Sequence, residues 1–366
     1  MIEPQELSFE NVPLNEEELL KVKHIEKLLQ NDEDIILNEL QSLARSDYGL
    51  VDDNFRRKLW PVLAGVDISN LEKTPSLTEM QAHSDYKQVI QDVNRSLKRF
   101  PPGIPYEQRI ALQDQLTVLI LRVIKKYPNL RYYQGYHDVA VTFLLVVGEE
   151  VAFAVMEQLS TTHFSECMQD TMDATQKRLM FIWPLINFEN RALFQFLQLS
   201  SVGTIFALPW YLTWFGHNLK SYKAVVRLYD YFLASPIYSP IYVTAAILLH
   251  RAEDIMAEEC DMASVHLFLS NLPDDLPFEE ILKTSSKLYE KYSLSLIEKE
   301  VMRLFKNGQG YLEEYRTVDS IRRGRLNQWL PQMLTHRSVI FTTAFSIIVG
   351  ICAYFYKNQY MSTGVS

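Results

Sequence analysis

The chain has 366 residues, of which 48% are hydrophobic and 22% are charged, a balance that excludes a largely disordered or fibrous protein. Its net charge of −9 argues against a protein that binds nucleic-acid phosphates. It has only 12 glycines and neither a G-x-G-x-x-G nor a G-x-x-x-x-G-K-[ST] loop, which disfavours the common nucleotide-binding folds. The composition therefore predicts an all-α protein.

The first segment, residues 1–46, is acidic and carries apolar residues that lie three and four positions apart. This spacing predicts short amphipathic helices that pack on the rest of the chain. The apolar positions are Leu19, Leu20, Val22, Ile25, Leu28, Leu29, Ile35, Ile36, Leu40 and Leu43.

Residues 47–292 are predicted to form one large multi-helix domain, in which prolines separate the helices. Near its start, Arg56 and Trp60 lie one helical turn apart. This spacing allows a cation–π contact between them and indicates a structural role. The clearest helix of the domain covers residues 107–126, with one apolar face made by Leu112, Leu116, Leu119, Val123 and Tyr127.

Asp92 and Arg95 form the second candidate pair. They lie three residues apart on a predicted helix, so the carboxylate can orient the guanidinium along the helix surface. Spacing alone does not distinguish this pair from an ordinary surface ion pair, which contributes about 0 to 1 kcal/mol to stability.

The third candidate is the turn of Tyr132, Gln134 and Gly135, which precedes a strongly apolar helix. The Gln134 amide both donates and accepts hydrogen bonds beside a flexible glycine, so it can orient a water molecule. A helix-entry turn without any chemical role is the alternative at this point.

Taken in this order, these elements resemble the TBC-domain family of Rab GTPase-activating proteins. Arg56 and Trp60 match the family's R-x-x-x-W element, and Asp92 and Arg95 match its I-x-x-D-x-x-R element. Tyr132, Gln134 and Gly135 match its Y-x-Q-G element, and Asp230 matches the Asp of its R-x-x-D element. The first and last of these elements are structural motifs of the family. Two positions depart from the pattern, because Tyr136 and His137 stand where the family more often has Met and Asn.

The resemblance implies a protein that accelerates GTP hydrolysis by its partner, a GTP-bound Rab GTPase. It assigns Arg95 as an arginine finger supplied in trans, and Gln134 as a second finger that orients the attacking water. Asp92 is expected to orient Arg95, and Tyr132 and Gly135 are expected to support the Gln134 turn. GTP and Mg²⁺ are carried by the partner, so no cofactor or metal site is expected on this chain.

Residues 338–356 carry no charge and are bounded by Arg337 and Lys357. A helix of this length is about 28 Å long, close to the thickness of the hydrocarbon layer of a membrane. The segment is therefore predicted to be a transmembrane tail anchor that follows a basic linker at 293–337 and precedes a short lumenal tail at 357–366. The basic flank places the large domain in the cytosol, and a buried C-terminal helix is the alternative.

The anchor and the motif variants most resemble the tail-anchored branch of the TBC family. This branch implies a location in the endoplasmic reticulum membrane or the cis-Golgi, with the lipid bilayer contacted through residues 338–356. It also implies that the partner is the Rab of transport from the endoplasmic reticulum to the Golgi.

Two other functions are open at this point. The first is a non-catalytic membrane tether or effector that docks a Rab GTPase. The second is a metal-dependent phosphohydrolase of the helical HD type, because His137 and Asp138 form an HD pair. Such an enzyme needs further ligands from other helices, and the available residues are His83, His163, Asp173 and Asp230.

Overall fold

The structure, a computed structural model, describes residues 14–30, 37–96, 106–273 and 275–306. These residues form eighteen α-helices and contain no β-strand, which confirms the predicted all-α fold class. The described residues all belong to one compact unit.

The helices are numbered in chain order. The first nine are α1 Glu16–Gln30, α2 Leu37–Arg45, α3 Asp53–Leu63, α4 Leu77–Met80, α5 Tyr86–Ser96, α6 Tyr106–Lys126, α7 Tyr136–Val147, α8 Glu149–Thr161 and α9 Asp173–Leu179. The last nine are α10 Ile182–Glu189, α11 Arg191–Leu199, α12 Ala207–Leu212, α13 Tyr222–Leu233, α14 Ser239–His250, α15 Ala252–Ala257, α16 Met262–Ser270, α17 Phe278–Lys291 and α18 Leu294–Lys306.

The predicted helix at 107–126 is present as α6. Its predicted face is buried at Leu116, Leu119 and Val123, but Ile120 and Ile124 are buried as well. The reason is that α6 packs against four helices, α4, α5, α7 and α8. A helix enclosed in this way is apolar on more than one side, so a single stripe underestimates its burial.

Helices α1 and α2 agree with the amphipathic helices predicted for the N-terminal segment, and α2 packs against α3 and α13. The buried side of α1 matches the prediction at Ile25 and Leu28 but differs from it in the first turns of the helix. Glu18 and Lys21 are buried, whereas Leu19 and Leu20 are 47% and 57% exposed. Glu18 Oε1 lies 2.7 Å from Nζ of Lys223 on α13, so an ion pair helps to attach α1 to the rest of the chain.

The fully buried carboxylate of Asp230 joins α3 to α13. Nε of Arg56 donates to it at 3.0 Å and Nη2 also donates at 3.0 Å. Nε1 of Trp60 donates at 2.7 Å and the main-chain N–H of Leu50 donates at 3.0 Å. Burial lowers the pKa of Arg56, but the charge and hydrogen bonds of Asp230 raise it, and the net pKa lies above the ordinary arginine value.

The cation–π contact predicted between Arg56 and Trp60 is wrong. Within the described part of the chain, the arginines that lie over aromatic rings are Arg122, Arg178 and Arg251. Arg56 and Trp60 instead direct their polar atoms to the same acceptor, Asp230. The one-turn spacing is compatible with a contact between the two side chains, but in the structure it brings both donors to a carboxylate on another helix.

Among the described helices, none has both the length and the apolar character that crossing a bilayer requires. The predicted transmembrane helix at 338–356 and the predicted tail at 357–366 lie outside the described residues. The same is true of the part of the predicted linker that follows α18.

Replacing the central carboxylate tests this description of the core. We expect Asp230→Asn to lower the free energy of unfolding by about 3–5 kcal/mol, because it leaves the buried charge of Arg56 without its counterion. Urea denaturation of the full chain, followed by tryptophan fluorescence, measures the change.

Asp170→Asn is the matched control, because Asp170 pairs with Arg131 at 2.7 Å while the two side chains are 79% and 54% exposed. Its loss should cost less than about 1 kcal/mol. Equal losses in the two variants would contradict a special role for Asp230.

Candidate functional site

Helix α5 carries the predicted pair Asp92 and Arg95 and places the two side chains in contact. Nη1 of Arg95 lies 3.6 Å from Oδ1 of Asp92. The pair is unequal, because the Asp92 side chain is 1% exposed and that of Arg95 is 65% exposed. This arrangement differs from an ordinary surface ion pair, since a buried carboxylate supports a guanidinium that is open to solvent.

Asp92 is held by neutral donors in addition to Arg95. Nε2 of Gln88 donates to its Oδ2 at 3.0 Å, and the hydroxyl of Tyr132 donates to the same oxygen at 3.0 Å. Gln88 was not among the residues predicted from the sequence, although it lies four residues before Asp92 on α5, a spacing at which helical side chains meet. These bonds hold the carboxylate in position behind Arg95.

Tyr132 connects α5 to the turn that carries Gln134. Its hydroxyl lies 3.0 Å from Asp92 and 3.0 Å from Nδ1 of His137, on the first turn of α7. Burial raises the pKa of Tyr132, and the charge of Asp92 raises it further, so the hydroxyl keeps its proton. The expected role of Tyr132 in supporting the Gln134 turn is consistent with this position between the two elements.

Gly135 gives the turn its shape. Its φ is +110°, a value that side-chain-bearing residues rarely adopt. A Cβ at this position would also lie 2.9 Å from Cγ2 of Thr213. The chain therefore turns sharply after Gln134, whose side chain is exposed.

A second turn, residues 213–217, packs behind the Gln134 turn. Trp214 and Phe215 have φ values of +47° and +66°, and such left-handed conformations are costly for bulky residues. His217 Nδ1 lies 2.8 Å from Oδ2 of Asp138. This contact attaches the second turn to α7, the helix that begins directly after the Gln134 turn. Thr213 and His217 are not predictable as site residues from the sequence, because the spacing of neither residue carries a signal.

The ligands that an HD-type metal site would need are not brought together. Asp230 is occupied by Arg56 and Trp60. His163 packs edge-on against Trp214, with ring centroids 5.6 Å apart, and burial lowers its pKa to about 4. In residues 14–30, 37–96, 106–273 and 275–306, no three His, Cys, Asp or Glu side chains are grouped so that they could hold a metal ion.

Comparison with protein families identifies a TBC domain in this all-α chain. Residues 53–256 match the family model RabGAP-TBC, described as the Rab-GTPase-TBC domain, and this match spans more than half of the chain. The chain therefore belongs to the Rab-GTPase-TBC domain family, which confirms the resemblance of the motifs.

Sequence similarity to individual proteins extends beyond residues 53–256. TBC1 domain family member 20 of Homo sapiens is 44% identical over 291 residues, which cover 80% of this chain and 72% of that protein. GTPase-activating protein gyp10 of Schizosaccharomyces pombe is 28% identical over 274 residues, which cover 73% of each chain.

Two solved structures have a similar fold. The Ypt/Rab-GAP domain of Gyp1p superposes with a TM-score of 0.62 at 17% identity, covering 76% of this chain and 99% of that one. The TBC domain of a Chlamydomonas flagellar RabGAP superposes with a TM-score of 0.56 at 15% identity, covering 78% and 99%. At such identities the likeness shows the shared fold.

Substituting Gly135 tests the geometry of the Gln134 turn. We expect Gly135→Ala to lower the free energy of unfolding by at least about 1 kcal/mol more than Gly65→Ala, because it adds a steric contact to backbone strain. The measurement is urea denaturation of both variants.

Gly65 is the matched control, because its φ is +69° and a Cβ there would have no neighbour within 4 Å. Gly65→Ala therefore reports backbone strain alone, about 1–2 kcal/mol. A Gly135→Ala variant as stable as the control would show that the contact with Thr213 does not constrain the turn.

Proposed function

We propose that this protein is a Rab GTPase-activating protein that supplies Arg95 and Gln134 in trans to a GTP-bound Rab GTPase. The observation that carries the proposal is how these side chains are presented. Both are exposed, and the Tyr132 hydroxyl connects the helix of one to the turn of the other through Asp92. Membership of the Rab-GTPase-TBC domain family supports it, as does the name of the relative GTPase-activating protein gyp10.

Arg95 acts in this proposal as the arginine finger. Negative charge builds on the γ-phosphoryl oxygens and on the β–γ bridge during GTP hydrolysis, and stabilising this charge accelerates the reaction. A guanidinium suits the task because it is planar, always charged and able to donate two parallel hydrogen bonds. Asp92 orients Arg95 from the buried side of α5.

Gln134 acts as the second finger. Its amide oxygen can accept a hydrogen bond from the attacking water, while its N–H groups remain able to donate to a second group. Such an amide can hold the water in line with the γ-phosphate. The exposed position of Gln134, directly before a glycine at φ +110°, suits a group that enters the active site of a partner. GTP and Mg²⁺ belong to the GTPase, and the chemistry that we propose for this chain uses only its own side chains.

We further propose that residues 338–356 cross a membrane and that the helical domain lies on its cytosolic side. The segment is apolar and uncharged, and the residues before it are basic at Arg322, Arg323, Arg325 and Arg337, which favours a cytosolic N-terminal flank. By the resemblance to the tail-anchored branch of the family, we place the protein in the endoplasmic reticulum membrane or the cis-Golgi. The same resemblance proposes the Rab of transport from the endoplasmic reticulum to the Golgi as the substrate.

Single-turnover GTP hydrolysis by a panel of Mg-GTP-loaded Rabs tests the two fingers. We expect the full chain in detergent to accelerate one Rab by roughly 10³–10⁵-fold, and Arg95→Ala to remove most of this acceleration. Arg95→Lys should also fail, because a point charge does not reproduce the planar donor pair. Gln134→Ala should lower the rate without weakening binding to the Rab.

Arg303→Ala is the matched control for Arg95→Ala. Arg303 is 54% exposed and pairs with Glu300 three residues earlier at 2.6 Å, so its setting on α18 is similar, but it lies far along the chain from the candidate site. This variant should retain full activity. A folded wild-type protein that binds a Rab without accelerating hydrolysis would instead indicate the non-catalytic tether.

Deleting residues 338–356 tests the membrane span. We expect the full chain to stay in the membrane pellet after alkaline carbonate extraction, and the deleted chain to move to the supernatant, because none of the helices that the structure describes is long and apolar enough to cross a bilayer. Recovery of the full chain in the supernatant would reject the span and leave the buried C-terminal helix as the alternative.

A further inference from the structure

A series of polar contacts continues from Asp92 beyond Tyr132 to two histidines. The Tyr132 hydroxyl lies 3.0 Å from Nδ1 of His137. Nε2 of His137 lies 3.4 Å from Oδ1 of Asp138, and Oδ2 of Asp138 lies 2.8 Å from Nδ1 of His217. His137 is 6% exposed, so its ring is held between Tyr132 and Asp138 with little access to water.

The contact between Tyr132 and Asp92 indicates where the proton of the Tyr132 hydroxyl lies. The Tyr132 hydroxyl has one proton and two neighbours, Asp92 and His137. An ionised carboxylate accepts hydrogen bonds and donates none, so the Tyr132 proton points to Asp92. The Tyr132 oxygen is then left as an acceptor facing Nδ1 of His137, and a favourable contact there requires a proton on Nδ1.

We propose that His137 is a positioning residue for Arg95: its Nδ1–H donates to the Tyr132 oxygen, directs the Tyr132 proton to Asp92, and so holds the carboxylate that orients the guanidinium. This role rests on the proposed GTPase-activating function. The carboxylate of Asp138 favours a proton on Nε2 instead, but its Oδ1 lies 3.4 Å from Nε2, farther than the 3.0 Å that separates Nδ1 from the Tyr132 oxygen. Its Oδ2 is engaged with Nδ1 of His217 at 2.8 Å, so the shorter contact with Tyr132 favours the proton on Nδ1.

A neutral His137 ring carries hydrogen on only one of its two nitrogens, so its tautomer decides whether it can donate to the Tyr132 oxygen. Burial lowers the pKa of His137 below its ordinary value, so the ring is neutral at pH 7 and only one of its nitrogens carries hydrogen. The ionisable groups that act on the ring are Asp138, Asp92, His217 and Arg95, of which the two carboxylates raise its pKa and the other two lower it.

Acidification affects the two possible tautomers of His137 differently. If the neutral ring carries its proton on Nδ1, the second proton adds at Nε2, on the side of Asp138, and the bond to Tyr132 persists. If the neutral ring carries its proton on Nε2, the second proton adds at Nδ1 and reverses the bond to Tyr132. Our assignment therefore predicts that the contribution of His137 to the hydrolysis rate is unchanged when the ring becomes protonated.

Two substitutions of His137 in the full chain test its role. His137→Phe keeps a planar ring but removes the donor, and we expect the single-turnover rate at saturating protein to fall by roughly 10²-fold, the loss that a small misplacement of a catalytic group produces. The half-saturating concentration should stay the same, because His137 is buried and does not contact the Rab. His137→Asn places an amide N–H near the position of Nδ1, and it should restore most of the rate.

A double-mutant cycle tests whether His137 acts through Tyr132. Tyr132→Phe removes the hydroxyl that receives the proposed bond. In the Tyr132→Phe background, His137→Phe should cause no further loss of rate, because the connection to Asp92 is already broken. A role in packing alone would predict that the two losses add and that His137→Asn fails to restore activity, and either result overturns the proposal.

Nitrogen-15 NMR of the histidine-labelled full chain provides a readout that does not depend on GTPase activation. The His137 signals are identified by their absence in His137→Asn. We expect the neutral ring to carry its proton on Nδ1, and Tyr132→Phe to speed exchange of that proton with water. A neutral ring protonated on Nε2 would overturn the proposal, even if the wild-type protein activates a Rab.

The two proposals fail in different ways. If the folded wild-type protein accelerates no Rab, the proposed function is rejected, and the NMR spectra still decide whether His137 directs the Tyr132 hydroxyl. If the wild-type protein is active and His137→Phe, shown to be folded by tryptophan fluorescence, is equally active, the positioning role is rejected and the proposed function stands.

Discussion

The rest of the structure depends on the buried carboxylate of Asp230. Its oxygens accept hydrogen bonds from the Arg56 guanidinium, the Trp60 indole and the Leu50 main chain, so one charge joins α3, α13 and the segment before α3. The same carboxylate requires glycine at position 49, where a Cβ would lie 2.5 Å from Oδ2 of Asp230. A fully buried charge is tolerated here because the surrounding donors satisfy it.

Tyr229, the neighbour of Asp230 on α13, connects the contacts around Asp230 to the candidate site. Its ring lies 6.0 Å from that of Trp60, and its hydroxyl donates to the carbonyl oxygen of Thr213 at 3.3 Å. The methyl group of Thr213 in turn faces Gly135, with no room for a Cβ between them. Gln134 is thus an exposed turn residue supported from behind by packed side chains, and such support suits the catalytic role that we propose for it.

The sequence predicted where helices form and which side chains they bring close together, but not always what those side chains contact, as the shared bond of Arg56 and Trp60 to Asp230 illustrates. The helix at 107–126 and the contact between Asp92 and Arg95 follow from helical spacing, and both are present. Contacts between distant residues were not predictable from spacing: Arg56 meets a partner 174 residues away, and Tyr132 meets Asp92 across 40 residues. The family resemblance named these residues, but only the fold shows which of them touch.

The loose pairing of Arg95 with Asp92 suits the proposed finger role, in which the guanidinium exchanges its own carboxylate for a phosphate of the GTP bound to a Rab. Their separation of 3.6 Å exceeds hydrogen-bond length, so little is lost from the exposed guanidinium when the pair opens. A buried carboxylate left without donors would be costly, yet Gln88 and Tyr132 bond to Asp92 independently of Arg95. Both of these bonds are to Oδ2, so they remain when the guanidinium moves, and the proposed proton on Nδ1 of His137 maintains the bond from Tyr132 by directing its hydroxyl to Asp92.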